Sequence, residues 1–518
     1  MESQEINDNF NKLLLQEPTP NIQEEEAKQQ IPDSGSGVQN NQNKIKIAML
    51  GNVDAGKSTM VGILTSAPGQ LDDGRGAMRA NVFNFAHEIK NGRTSSVAHE
   101  IMGFAENGEQ VIPDHQVKMK NKRWPVIVNN SAKIINFTDL CGHEKYLKTT
   151  MHGLTSSYPD YCMVMVGANM GVSKMTKEHI GVANALGLPM IVVFTKMDLA
   201  PEEVFKTNLA KMTKIMKTAC SKVPVMIKTE DDIEKVIETV AQGKVCPMFC
   251  VSSITGEGIE NLRTFLRTIP KPPFKSMLKE EANPDSEKST ESEITTQFVV
   301  DSQFMTKAFG LILGGVVVKG SVKINQELMF GPDKNGNFKS VIIKGIHEDR
   351  VPILEAGVSQ SICVNIKSKD PIKRNHIRKG VSLINPLKAK GFNPYHQVVC
   401  KYFDAQIKVL HHHTTIQEGY QAVMHVAGIR QTVQAVKLSD KNCMRTNDVD
   451  KVRFKFKYGV EIVSKGTQVM MTEGNTKAIG VITAVYPMSQ PPTDLVDRFT
   501  KCDNKAGAIT GEIQPLTP

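Results

Sequence analysis

Residues Gly51 to Thr59, GNVDAGKST, follow directly on the apolar run KIKIAML, Lys44 to Leu50. They fit the phosphate-loop pattern G-x4-G-K-[ST], with Gly51, Gly56, Lys57 and Ser58 at its fixed positions. Nothing else in the chain restricts the fold as much. The loop needs a strand to enter it, glycines that let backbone N–H groups turn inward, and a helix whose positive end faces an anion. The spacing predicts a strand ending at Gly51 and a helix beginning at Lys57. Asn52, Val53, Asp54, Ala55 and Thr59 complete the expected phosphate cradle, with Lys57 reaching the outer phosphates and Ser58 offering a hydroxyl to Mg²⁺.

Downstream, apolar strand signals at Lys133–Leu140, Tyr161–Ala168, Pro189–Lys196 and Val245–Ser253 alternate with helical patterns. The helices are expected at Thr176–Leu186, Glu202–Thr218, Ile233–Ala241 and Ile259–Ile269. This alternation predicts an α/β domain over 44–270 with a mainly parallel sheet and ligands at the carboxyl ends of its strands.

Three motifs fall at such ends. DLCGHEKY, from Asp139, puts a carboxylate where it can hold a water of the Mg²⁺ shell and Gly142 where its N–H can meet a γ-phosphate. Asp139 suits a helix N-cap equally well. In TKMD, Asp198 can accept both N–H groups of a guanine edge while the Lys196 stem covers the ring beside Thr195. In SSITGEG, N–H groups near Ser252 and Ser253 can meet the guanine oxygen, although alone this is a glycine-bearing helix cap. Taken singly each motif has a bland reading. Their order, each closing an apolar strand, predicts a guanine nucleotide, GTP or GDP.

Charge divides the chain. The first 43 residues carry a net −6, are rich in Gln and Asn, and read as a disordered acidic tail; the remainder carries +15 of an overall +9. A basic body favours a polyanionic partner such as RNA. Pro270, Pro272 and Pro273 open a polar linker, 271–294. Two β-rich stretches with Gly, Pro and Asn punctuation follow, predicting antiparallel β-barrels over 295–386 and 387–488, then a tail at 489–518. The Lys/Arg set Lys367, Lys369, Lys373, Arg374, Arg378 and Lys379 is either phosphate-binding or a solvated loop. His411, His412 and His413 read as a turn, since adjacent strand residues alternate faces. Nine scattered cysteines form no disulfide framework, no apolar run is long enough to cross a membrane, and the amino terminus lacks a secretory pattern. The expectation is a cytoplasmic, monomeric protein that does not enter a membrane.

GNVDAGKST, GRTSSV, DLCGHEKYLKTT, MTKEH and TKMD together resemble the GTP-binding protein 1 and 2 family, itself similar to translational GTPases of the elongation factor 1-alpha type. The likeness runs from about Lys44 to Met488. It implies that Thr94 senses the γ-phosphate and Mg²⁺, with Ser95 as the competing assignment; that Asp139 holds Mg²⁺ through water; and that His143 places the attacking water. It also implies two β-barrels after the GTPase domain, and partners in the ribosome and aminoacyl-tRNA. An alternative is a GTP-dependent adaptor linking RNA or mRNA-decay machinery to translation. Departures from elongation factors are Cys141 in the usual proline position, Asn52 and Ala55 in place of two histidines, and Arg93 in place of an apolar gate residue opposite Val53. No residue stands out as an arginine finger, so intrinsic turnover is expected to be slow and partner-stimulated.

Overall fold

A computed structural model describes residues 43–492 except 115–119, 274–293, 307–308, 371, 373–376, 388–392, 412–414 and 474–475. All but the last residue of the acidic tail, most of the linker, the carboxyl-terminal tail beyond residue 492, Lys373, Arg374, His412 and His413 lie outside the described residues.

The first ordered unit is an eight-stranded sheet of β1 (Lys44–Gly51), β2 (Ala98–Phe104), β3 (Gln110–Val111), β4 (Lys133–Asp139), β5 (Tyr161–Gly167), β6 (Met190–Thr195), β7 (Val223–Met226) and β8 (Val245–Cys250), in the order β3-β2-β4-β1-β5-β6-β8-β7. The helices are α1 (Lys57–Leu64), α2 (Ala86–Asn91), α3 (Lys120–Asn130), α4 (Leu147–Ser156), α5 (Lys174–Ala185), α6 (Glu202–Thr218), α7 (Glu230–Val240) and α8 (Ile259–Thr268). The four strands and four helices expected from sequence are β4, β5, β6, β8 and α5 to α8, their ends displaced by a few residues at most. The β2–β3 hairpin, α3 and β7 had no clear signal. β2 pairs antiparallel to β4, while β4, β1, β5, β6, β8 and β7 run parallel.

β1 shows why the sheet is sandwiched between helices. Ile45, Ile47 and Met49 enter one apolar cluster with Val61, Phe249 and Phe265; Ala48 and Leu50 enter the opposite one with Val164 and Phe194. Side chains alternate faces along a strand, so a strand with apolar side chains on both faces must be covered twice. β1 lies between β4 and β5; the chain leaving β1 continues to β2 on one side, whereas the chain leaving β5 continues to β6 on the other. That reversal opens a crevice at the carboxyl end of β1, where the phosphate loop sits.

Two antiparallel units follow. β9 (Gln297–Thr306), β10 (Gly310–Lys319), β11 (Val322–Lys323), β12 (Glu327–Gly331), β13 (Lys339–Glu348), β14 (Val351–Ile353), β15 (Glu355–Ala356), β16 (Ser361–Ser368) and β17 (Ser382–Ile384) form the first. Its main sheet, β12-β17-β9-β10-β16-β13-β14, closes through an added β12–β13 pairing around Phe298, Leu313 and Val364. The second, β18 (Cys400–His411), β19 (Gln421–Val426), β20 (Ile429–Leu438), β21 (Val449–Phe456), β22 (Gln468–Glu473) and β23 (Thr476–Pro487), is a closed barrel around Phe403, which stacks on Phe454 and meets Phe456 at a tilt. Both barrels dock on the α/β unit. Lys44 pairs with Glu348 and Asp349, each at 2.9 Å, and the Arg350 guanidinium lies 5.3 Å from the Trp124 ring centre. Met470 of β22 joins the apolar cluster that holds β5 and α5. Among the described residues no helix is long and apolar enough to cross a membrane.

Candidate functional site

The loop from Gly51 to Gly56 turns on two left-handed residues, Asp54 at φ 59° and Gly56 at φ 81°. Gly51 has no room for a side chain, since a Cβ would sit 2.4 Å from the Met165 carbonyl oxygen. Its N–H donates to Nδ1 of buried His179, 3.3 Å away, and Thr195 Oγ1 donates to the Ala55 carbonyl at 3.0 Å. Thr195, expected at the nucleotide, is 1% exposed and braces the loop from below. Lys57 Nζ donates to the carbonyls of Gly51 and Asn52, at 3.2 and 2.8 Å. Burial pushes its pKa down, with Asp139 opposing.

Ser58, Thr94 and Asp139 converge although 81 positions separate the first from the last. Ser58 Oγ donates to Asp139 Oδ2 at 2.6 Å, lies 2.8 Å from Thr94 Oγ1, and Thr94 reaches the same carboxylate oxygen at 3.3 Å. Burial raises the Asp139 pKa against the pull of Lys57, and its buried Oδ1 has no hydrogen-bond partner among the described residues. An all-oxygen set with one orphaned carboxylate oxygen suits a hard cation. Neighbouring oxygens around an octahedral Mg²⁺ at ~2.1 Å stand about 3 Å apart, close to the spacing found here.

The segment carrying Thr94 is organised by a residue that sequence reading missed. Glu88, 0% exposed, accepts from the N–H and hydroxyl of Ser95 at 2.7 and 2.9 Å, from both groups of Ser96 at 3.0 Å, and from Asn84 N–H at 3.0 Å. Burial alone would raise its pKa, but these donors hold it below the usual carboxylate value. Ser95 is thereby committed to Glu88 and Thr94 is left facing Ser58. Its local role, accepting from the N–H groups of Asn84 and Phe85 at the start of α2, gives no sign of the donors that arrive from Ser95 and Ser96 seven and eight residues on.

Gly142 is wedged against the loop: a Cβ there would stand 2.5 Å from Lys57 Nζ and 2.7 Å from the Asn52 carbonyl carbon. Cys141 is buried, its thiol pKa pushed up to about 12 by burial, and its Sγ donates to the Ser96 carbonyl. Exposed His143 lines the same cleft as Val53, Lys57, Ser58, Thr59, Thr94 and Gly142. Its Nδ1 accepts from Lys145 N–H at 3.1 Å, capping the turn Glu144–Tyr146. With Nδ1 used as an acceptor, neutral His143 carries its proton on Nε2.

At the far end of the crevice, Lys196 adopts a left-handed conformation at φ 60° and starts the turn Met197–Leu199. Asp198 is exposed, and its Oδ1 accepts from Ser252 Oγ at 2.6 Å. Ser252 Oγ in turn accepts from the N–H groups of Ile254 and Thr255. One hydroxyl thus orients a carboxylate that keeps further acceptor positions open. The Ser253 carbonyl accepts from Asp72 N–H at 2.9 Å.

The Elongation factor Tu GTP binding domain family matches residues 42–272. GTP-binding protein 1 of Xenopus laevis is 38% identical over 488 residues, covering 91% of this chain and 70% of that protein. GTP-binding protein 2 of Homo sapiens is 35% identical over 449 residues, covering 86% and 70%. The Saccharomyces cerevisiae Ski7 GTPase-like domain, solved with GTP bound, has a TM-score of 0.58 at 14% identity, covering 85% of this chain and 97% of that one. A fold with nucleotide loops at the carboxyl ends of parallel strands and extended likeness at this level together establish the class: the chain belongs to the GTP-binding protein 1 and 2 family and is a translation-factor-like, guanine-nucleotide-binding GTPase.

Proposed function

We propose that the GTP-bound protein engages aminoacyl-tRNA and the ribosome, and that hydrolysis releases it. The observation that carries this reading is a cavity of about 320 Å³ between the two barrels, lined by Lys334, Arg378, Lys379, Arg430 and Tyr458 among others. Arg378 is spoken for: it pairs with buried Glu461 and donates to the Pro332 and Val460 carbonyls. Lys379 and Arg430 are exposed; burial, and after it these two charges, lower the pKa of both His152 and His425, with Lys148 adding to the effect at His425. Cations that repel one another around an open cavity favour a polyanion, and phosphates answer that need.

In the nucleotide site, Ser58, Thr94 and Asp139 would hold Mg²⁺, and the ion would supply positive charge against the phosphates. Lys57 exchanges its loop carbonyls for phosphate oxygens, Thr94 and Gly142 read the γ-phosphate, and Asp198 reads guanine. His143, a donor at Nε2, orients the attacking water. Phosphoryl transfer needs little more than this positioning and charge neutralisation.

GTP hydrolysis measured with and without ribosomes, using aminoacylated and uncharged tRNA in parallel, tests the reading. The expected result is ribosome stimulation that requires the aminoacylated form. Stimulation indifferent to charging points to the adaptor role, and none at all removes the ribosome from the scheme.

A further inference from the structure

The phosphate cleft contains two guanidinium groups for which the motifs leave no role: Arg79 and Arg93 line it beside Lys57, Thr94 and His143. Among the described residues, neither forms an ion pair with a carboxylate. Arg93 is exposed, whereas Arg79 is half-buried and tightly placed. It sits in the turn Ala77–Asn81, whose Met78 carbonyl packs on α1 so closely that a Cβ on Gly62 would meet it at 2.2 Å. The loop before it is tied down by Asp72, whose carboxylate accepts from the N–H groups of Gly74, Gly76 and Met78 at 3.1 Å each. The guanidinium occupies a slot between two left-handed glycines: a Cβ on Gly76 would lie 2.5 Å from Nε, and one on Gly92 2.7 Å from Nη2. Its single protein acceptor among the described residues is the Arg75 carbonyl, 3.3 Å from Nη2. A guanidinium offers five N–H donors, so most of its capacity is unspent.

We propose that Arg79 acts in cis on the γ-phosphoryl group, contacting its oxygens and stabilising the charge that builds in the transition state of GTP hydrolysis. In that step the water oxygen bonds to the γ-phosphorus as the bond to the β-phosphate oxygen breaks. The electron pair leaves with GDP, the water gives up one proton to solvent, and inorganic phosphate is the second product. A planar, permanently charged fork fits three equatorial oxygens better than a lysine point charge does. The arginine that other GTPases receive from a partner is here carried by the segment between the phosphate loop and the γ-phosphate-sensing threonine. On this proposal, hydrolysis is expected to have an appreciable rate with no partner present, where the sequence alone leads to the expectation of slow, partner-stimulated turnover.

The test needs neither ribosome nor RNA, so it stands apart from the partner reading above. Fluorescent mant-GDP with Mg²⁺, aluminium and fluoride is offered to the wild type, R79A and R79M, the last keeping the packing of the stem. The wild type is expected to form the aluminium fluoride complex unaided, and both variants to lose it. Single-turnover hydrolysis in the variants should fall on the order of 10³-fold while GTP affinity stays within about threefold. Added free guanidinium should recover part of the R79A rate, which a merely structural arginine would not allow. Normal complex formation by R79A and R79M overturns the proposal. So does a loss of GTP affinity equal to the loss of rate, which would make Arg79 a ground-state binding group.

Discussion

His143 holds a backbone N–H with one ring nitrogen and lines the phosphate cleft, so an alanine substitution alone conflates two roles. Asparagine caps turns well and cannot reproduce an imidazole at the far nitrogen's position. H143A and H143N are both expected to keep GTP affinity and to lose partner-stimulated turnover by about 10²- to 10⁴-fold, the range for a positioned proton-handling group. Wild-type stimulation in H143N would reduce His143 to a cap. Asp198 offers a second test of a single side chain. D198N exchanges an acceptor for a donor facing the purine, so preference is expected to move from GTP toward the xanthosine nucleotide in a competition assay; unchanged selectivity would reject Asp198 as the guanine reader. Both residues were visible in the sequence because each lies in a short motif that follows an apolar strand. Glu88 and Arg79 were not, because their importance lies in what a loop brings to them.

At the scale of elements, the segment from α2 to Thr94 is a coil that one carboxylate gathers. Glu88 presents two oxygens to donors from Asn84, Ser95 and Ser96, and E88Q would turn an amide NH₂ toward some of those donors. Buried donors left unsatisfied cost about 1–3 kcal/mol. Thr94 then loses its support, and under the proposed role of Thr94 as reader of the third phosphate, affinity for GTP should fall roughly tenfold while that for GDP holds. Nucleotide titrations with Mg²⁺ present measure that ratio, and an equal loss for both nucleotides would show that Glu88 supports the whole pocket. The regular elements were legible where periodicity was strong. The expected helix Glu202–Thr218 coincides with α6, while the expected start at Ile233 missed the first turn of α7, where Asp232 accepts from the N–H groups of Lys228 and Thr229. The β2–β3 hairpin escaped notice because His99 and Glu100 interrupt its apolar run. Both find partners only in the fold: Glu100 pairs with Lys120 and Arg123 of α3, and His99 lies beside Thr138 of β4.

Across the whole molecule, the α/β unit and the barrels meet around buried histidines. Burial, then the charges of Lys379, His425 and Arg430, pushes the His152 pKa down to about 3; burial, then Arg430, Lys148 and Lys379, lowers that of His425 to about 4. Unfolding frees both to take up protons near their ordinary pKa of about 6.5. The unfolded state therefore binds more protons below that value, and stability should hold above about pH 6.5 and decline progressively toward pH 4. Denaturant midpoints across this range check it. Replacing both histidines with glutamine should flatten the limb, and an unchanged pH profile would refute the assignment. By itself the sequence determined the phosphate loop, the order of the nucleotide motifs, the helix-and-sheet class of the first domain and the β character of the rest, because periodicity and short motifs are local properties of a chain. Tertiary structure alone decided that Thr94 rather than Ser95 meets Ser58 and Asp139, that Thr195 supports the loop from beneath, and that Arg79 reaches the cleft. Those outcomes depend on which distant side chains compete for the same buried donors and acceptors, and that competition exists only once the chain has packed.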